Sequence, residues 1–209
     1  MIQHGDSLMI STTPPNKKME SPDKSKKFSP GDFESESVSF TDYIFRILYK
    51  FAYKGHLLMN YFLRPKTQGA YAAVWQEDRI LLIRNSYKSV YTIPCGGIGR
   101  RERPVDAASR ELTEEVSLEF PIEAFNQVFE TVNYTEFKHD HIVLFDVKAK
   151  APQSPLPDGR EVVWAGFRSV DDALEMPLFP PVREYLLKKR LLTTYAHPIQ
   201  RLKIDVLEH

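Results

Sequence analysis

The sequence predicts an α/β (or α+β) sandwich preceded by an amphipathic helix. Two patterns predict it. From Gln68 onward, short apolar and β-branched runs alternate with polar or Pro-rich turns. Between and after those runs, Pro104 to Val116 and Pro181 to Leu192 carry the 3.6-residue periodicity of helices. Strands interleaved with two or three helices bury their apolar sides by stacking helices on a sheet. At 209 residues and 42% hydrophobic, the chain can build one such core with a tail, but not two full enzyme domains.

Residues 1–39 read as a disordered tail. Pro14, Pro15, Pro22 and Pro30 punctuate a stretch rich in Ser, Lys and Glu with few large apolar side chains. Such a segment cannot bury enough surface to offset its ordering entropy. At Phe40 the character changes. Phe40, Ile44, Ile47, Phe51, Leu58 and Phe62 follow helical spacing, flanked by Tyr43 and Leu48, with Gly55 interrupting the stripe and Pro65 ending it. Arg46, Lys50, Lys54, Arg64 and Lys66 make the polar side cationic. A basic amphipathic helix over 40–66 either packs its stripe on the domain, the reading preferred here, or lies on an anionic membrane through residues 40–64. The domain proper then spans 67–195 and a C-terminal tail 196–209. Its strands are Ala70 to Trp75, Arg79 to Arg84, Gln127 to Tyr134, His139 to Lys148 and Glu161 to Phe167.

Composition removes several functions. Lys+Arg and Asp+Glu are both 28, an even balance that argues against a dedicated DNA-binding domain. The single cysteine, Cys95, excludes an intramolecular disulfide framework and a multi-Cys zinc site and suits a reducing, cytoplasmic compartment. No signal peptide is read at the N-terminus, and no uncharged apolar run approaches the roughly 18–20 residues of a spanning helix.

The chemistry concentrates between Cys95 and Val116. A loop with Gly96, Gly97 and Gly99 runs into a helix opened by Pro104, a residue suited to the first helical position. Val105, Ala108, Leu112 and Val116 share one apolar face; Glu111, Glu114 and Glu115 fall on the neighbouring one. Three clustered carboxylates repel, and Arg110, paired with Glu114 at i,i+4, offsets only part of this. A hard divalent cation with oxygen ligands, Mg²⁺ before others, is the natural partner because it keeps waters and bridges to phosphates. The glycines let backbone approach a ligand closely and take positive φ, and Arg100 and Arg101 supply donors for phosphate oxygens.

The spacing Gly96-x5-Glu102-x7-Arg110-Glu111-Leu112-x-Glu114-Glu115-x-Ser117-Leu118 closely resembles the signature of the Nudix hydrolases. Ser117 is the one departure, standing where the family usually has a helix-ending glycine. The resemblance covers about Gln68 to Leu192. It implies an α/β/α sandwich with a mixed central sheet. It also implies Mg²⁺- or Mn²⁺-dependent hydrolysis of a phosphoanhydride in a nucleoside diphosphate linked to another moiety, by metal-activated water. By position, Glu111, Glu114 and Glu115 would be metal ligands, Arg110 and Glu102 a salt bridge bracing the loop, and Gly96 the residue that allows a tight turn. The family often has a further glutamate before the last central strand; Glu161 matches best and Asp158 next. Arg84-Asn85-Ser86-Tyr87 and His139 to Phe145 resemble a bacterial subgroup without an assigned substrate. The substrate contacts expected on this basis are Gly96, Gly97, Arg84, Arg100 and Tyr134, and the partner is a small nucleotide derivative. Relatives of this size are often dimers, which leaves a homodimer open. The alternative is a catalytically silent nucleotide-binding sensor of the same fold.

Other residues carry weaker signals. Cys95 has no adjacent base and reads as a passive loop residue. His139 and His141 would share one strand face without a third or fourth ligand, so they read as ordinary strand histidines. Tyr87, Tyr91, Tyr134 and Phe179 are candidates for stacking on a base, of which at most one or two are expected to do so.

Overall fold

The computed structural model describes residues 32–34 and 39–192. In chain order these form β1 (Asp32–Glu34), α1 (Phe40–Leu63), β2 (Lys66–Gln76), β3 (Arg79–Asn85), β4 (Cys95–Gly97), α2 (Pro104–Val116), β5 (Phe125–Asn133), β6 (His139–Lys148), β7 (Val162–Ser169), α3 (Val170–Glu175) and a last helix, α4, over 180–192. One sheet has the order β1-β7-β3-β2-β6-β5, with β4 beside the first half of β2. β2 and β6 run parallel and the other pairs are antiparallel, so the sheet is mixed.

Alternation along β2 decides the layers. Ala70, Ala72 and Val74 point to one face, where α2 supplies Ala107, Ala108, Leu112 and Val116. Tyr71, Ala73 and Trp75 point to the other, where Leu174, Val182, Tyr185 and Leu186 cover them. A parallel pair covered on both faces reads as a continuous buried run, as β2 does from Ala70 to Trp75. One buried anion ties α4 down: the Tyr185 hydroxyl donates to Asp146, Trp75 Nε1 donates at 3.2 Å and Lys189 Nζ at 2.5 Å.

Three expectations change. The tail expected over 1–39 contributes β1, which pairs antiparallel with β7 and is fastened by Arg168 Nη2 donating to Asp32 at 2.5 Å; other residues of that segment, like those of the tail expected over 196–209, lie outside the described residues. The helix expected over 40–66 ends at Leu63, and Lys66 already belongs to β2. Gly55 does not interrupt it. Most important, α1 docks by the side opposite its apolar stripe. Arg46 Nε donates to the Gly159 carbonyl (2.8 Å), the Tyr53 hydroxyl to Glu136 (2.9 Å), and Asn60 Nδ2 to the Glu136 carbonyl (3.1 Å). Phe51 and Phe62 stay 70% and 73% exposed. The sheet faces were already filled by α2, α3 and α4, which left α1 only the polar rim to pack on. No helix among the described residues is long and apolar enough to cross a membrane.

α2 ends on Ser117 in the left-handed region (φ 54, ψ 35), with the Ser117 and Leu118 amides donating back to Thr113 and Leu112. The serine therefore makes the turn a glycine normally makes, at a steric cost of roughly 1 kcal/mol. Ser117→Gly should raise stability by up to about 1 kcal/mol, a Tm increase of ~2–4 °C in a thermal melt; an unchanged or lower Tm would show that the serine is unstrained.

Candidate functional site

β4 is where the site begins. Its antiparallel pairing to β2, Ala70 opposite Gly96, sets the loop 98–103 across the exposed side of α2. Gly96 then faces Glu111 so closely that a Cβ would lie 2.1 Å from the Glu111 carboxyl carbon. That contact, rather than positive φ, is why glycine stands there. Gly159 alone among the described glycines has positive φ, so the positive φ open to the glycine loop is not used at Gly96, Gly97 or Gly99. Gly97 offers its carbonyl to Arg110 Nη2 at 3.1 Å, and a side chain there would meet open space.

Arg110 is shared by three carboxylates. Its Nε donates to Glu102 Oε1 (2.9 Å), its Nη1 to Glu111 (2.7 Å) and Glu114 (3.1 Å), and its Nη2 to Glu102 Oε2 (3.2 Å). Glu102 also accepts the Gly99 amide at 2.7 Å, so it clamps the loop to the helix as the resemblance implied. Hydrogen bonds from Arg110, then from Gly99, hold the Glu102 carboxyl below its usual range.

Glu115 is buried, 6% exposed, and accepts the Cys95 amide at 2.9 Å. Burial pushes its carboxyl well above the usual range; the Cys95 amide opposes this and Glu161, Glu111 and Asp158 add to it. Glu111 is raised as well, first by burial, with Arg110 opposing and Glu114 and Glu161 adding. Glu161 stands on the loop before β7, its Oε1 accepting the Tyr87 hydroxyl at 2.6 Å. Asp158 is otherwise occupied: its carboxylate accepts the Arg160, Glu161 and Val162 amides and shapes that loop. The sequence left Glu161 and Asp158 open; the structure turns Glu161 toward Glu111.

Glu111, Glu161, Gly96 and Gly97 line one cleft of about 460 Å³, with Lys88, Lys138, Asp140, Tyr71 and Phe179 on its other walls. A broader depression adjoins it and shares Thr67, Gln68 and Gly97. Among the described residues no three His, Cys, Asp or Glu side chains stand, as placed, close enough together to hold a metal ion. The acids form an open wall instead, with Glu115 behind it. An all-oxygen donor set of this kind suits a hard divalent ion that keeps part of its water shell.

Several expected contacts lie elsewhere. Glu114 is mostly exposed and belongs to the Arg110 cluster on the outer side. Arg84 sits over the Tyr91 ring and lines a separate depression. Arg100 is exposed on the loop, outside the cleft lining. Tyr134 is exposed and meets His139 edge-on in a neighbouring groove. Burial, then Glu115, pushes the Cys95 thiol up, which leaves it no nucleophile. His141 pairs with Glu130 of the neighbouring strand at 2.6 Å and His139 meets Tyr134, while Asp140 between them accepts from Thr67 (2.5 Å) and pairs with Lys138 (3.0 Å).

Lys88 escaped the sequence reading, and Tyr87 and Phe179 entered it only as candidates for stacking on a base. Tyr87 does not offer its face to a base; it packs against Tyr49 and Tyr53 of α1 while its hydroxyl holds Glu161. Lys88 lies between the Tyr53, Tyr87 and Phe179 rings and pairs with Glu136 at 2.9 Å. Phe179 lies parallel to Tyr71, 6.2 Å between centroids. Nothing in local sequence relates β2, the 86–92 loop and the turn before α4.

The family model for the NUDIX domain matches residues 65–189. Solved structures share the fold. The chain is 18% identical to a MutT protein of Methanosarcina mazei Go1, with a TM-score of 0.52 over 60% of this chain and 94% of that one. A C. elegans Ap4A hydrolase is 18% identical, TM-score 0.53, over 61% and 98%. The NUDIX domain of Shewanella oneidensis NrtR, solved with ADP ribose, is 18% identical, TM-score 0.53, over 66% and 98%. No curated protein matches the chain.

Arg110 is 37% exposed, so solvent screens part of what its contacts contribute. Arg110→Ala should destabilise by about 1–2 kcal/mol in urea unfolding, and Arg110→Lys should recover little because an ammonium cannot fork between Glu102 and Glu111. Full recovery by lysine would show that charge alone matters there.

Proposed function

Because the chain belongs to the Nudix family of hydrolases acting on acid anhydrides, we propose that it cleaves a phosphoanhydride bond in a nucleoside diphosphate linked to another moiety, with Mg²⁺ or Mn²⁺. One observation carries this reading. Carboxylates from two separate elements, Glu111 on α2 and Glu161 before β7, face one cleft with buried Glu115 behind them. Glu111, Glu115 and Glu161 would hold the cation; Glu114 would reach it only by leaving its pair with Arg110 on the outer side. A bound divalent ion neutralises phosphoryl oxygens and makes its water acidic enough to attack at neutral pH.

The chain's own groups do the rest. Arg110 and the gap left by Gly96 fix where Glu111 stands. Tyr87 holds Glu161 by its hydroxyl. Lys88 and Lys138, paired with Glu136 and Asp140, bring positive charge to the same cleft, where it can meet a diphosphate. Tyr71 and Phe179 offer flat apolar surface at the same cleft, whose volume suits a small nucleotide derivative. One of the α2 carboxylates, or Glu161 from the loop, would accept the proton of the attacking water. A silent nucleotide sensor is the alternative; the full set Glu111, Glu114 and Glu115 speaks against it.

Glu115→Gln should lower turnover at least ~100-fold on every accepted member of a panel of ADP-ribose, dinucleoside polyphosphates, nucleotide sugars and nucleoside triphosphates, with an unchanged circular dichroism spectrum. Wild-type rates in that variant would remove the assignment, and nucleotide binding without cleavage by the wild type would favour the sensor. Chelation with EDTA should abolish turnover, and Mg²⁺ or Mn²⁺ should restore it; turnover that persists in EDTA would rule out the metal-dependent reading.

A further inference from the structure

We propose that the outward face of α1 docks on an anionic lipid bilayer. The side of α1 that meets the domain carries Asp42, Tyr49, Tyr53 and Asn60; at 100° per residue, Phe40, Phe51 and Leu58 lie about 180° away. Phe40, Ile44, Phe51, Leu58 and Phe62 are all exposed and lie on one side of the 24-residue helix, with a gap at Gly55. A stripe of large apolar side chains this long exceeds what a soluble surface normally leaves uncovered.

The charge beside the stripe selects its occupant. Lys50 and Lys54 are exposed on one flank. The helix has one acidic residue, Asp42, and it turns to the body, where Arg160 Nε meets it at 3.0 Å. An apolar face edged by lysines and free of carboxylates is complementary to anionic headgroups over an acyl layer. A second copy of the chain fits less well. A two-fold pairing on this face would gather the Lys50 and Lys54 side chains of both copies round one seam, with no acid of the helix to offset them. The aromatic surface continues past the end of α1, where Phe137, itself exposed, meets Tyr61 edge-on at 5.2 Å. The inner side of the same helix lines the cleft at His56 and packs Tyr53 on Tyr87, so docking sets the cleft beside the bilayer surface. The proposal does not rest on the hydrolase reading, since binding is measured without turnover.

Flotation of the full chain with vesicles of phosphatidylcholine, with and without phosphatidylglycerol, tests it. Binding to the anionic vesicles should exceed binding to the neutral ones at least ~10-fold and fall in high salt. Phe51→Asp with Leu58→Asp should abolish it while leaving the thermal melt unchanged, because both side chains are exposed. Lys50→Glu with Lys54→Glu should remove the preference for anionic lipid. The proposal is overturned if the Asp pair floats like the wild type, which would place lipid contact elsewhere on the chain. It is equally overturned if the wild type ignores vesicles, or if light scattering shows the Asp pair turning a dimer into a monomer, which would make this face a contact between copies.

Discussion

Crowded negative charge is the constraint around which this molecule is organised. Glu102, Glu111, Glu114, Glu115 and Glu161 gather near one end of α2, and the fold tolerates them through a few specific devices. Arg110 divides a single delocalised cation among three carboxylates. The Cys95 amide meets Glu115, and the Tyr87 hydroxyl meets Glu161. Burial first, and the neighbouring acids second, raises the Glu111 and Glu115 carboxyls in spite of these partners. Buried acids grouped beside a cleft are the pattern that functional sites share more often than structural ion-pair clusters do.

The sheet makes this crowding affordable. The parallel centre of β2 and β6 is buried on both faces, and α2 is anchored by Leu112 and Val116 in that core. The apolar side of α2 thus fixes the direction of its acidic side. β4 brings the glycine loop to it from the same strand, β2, that supplies the floor, so both partners of the Gly96–Glu111 contact are referred to one rigid element.

α1 shows how packing order overrides local pattern. Its stripe is what a covering helix would have, yet the faces it could cover are filled by helices that follow later in the chain. It binds instead through side-chain hydrogen bonds and the Tyr49, Tyr53 and Tyr87 rings. Through Tyr87 it touches a cleft acid, which ties an element outside the sheet to the position of Glu161.

The residues by themselves determined the elements with strong periodicity and the box from Gly96 to Leu118. Their information is local: helix spacing places three acids on one face, and the glycine-rich approach precedes it in the chain. The Arg110–Glu102 pair was legible for the same reason. What only tertiary structure decided is everything that depends on which surfaces were already covered and which segments meet across the sheet. It set Glu161 in the cleft lining, while the oxygens of Asp158 accept neighbouring amides. It withdrew Arg84, Arg100 and Tyr134 from the cleft and put Lys88, Lys138, Tyr87 and Phe179 there. It gave β1 a partner more than a hundred residues away. And it turned α1 over, since a helix's hydrophobic stripe says that something apolar will meet it, but not what.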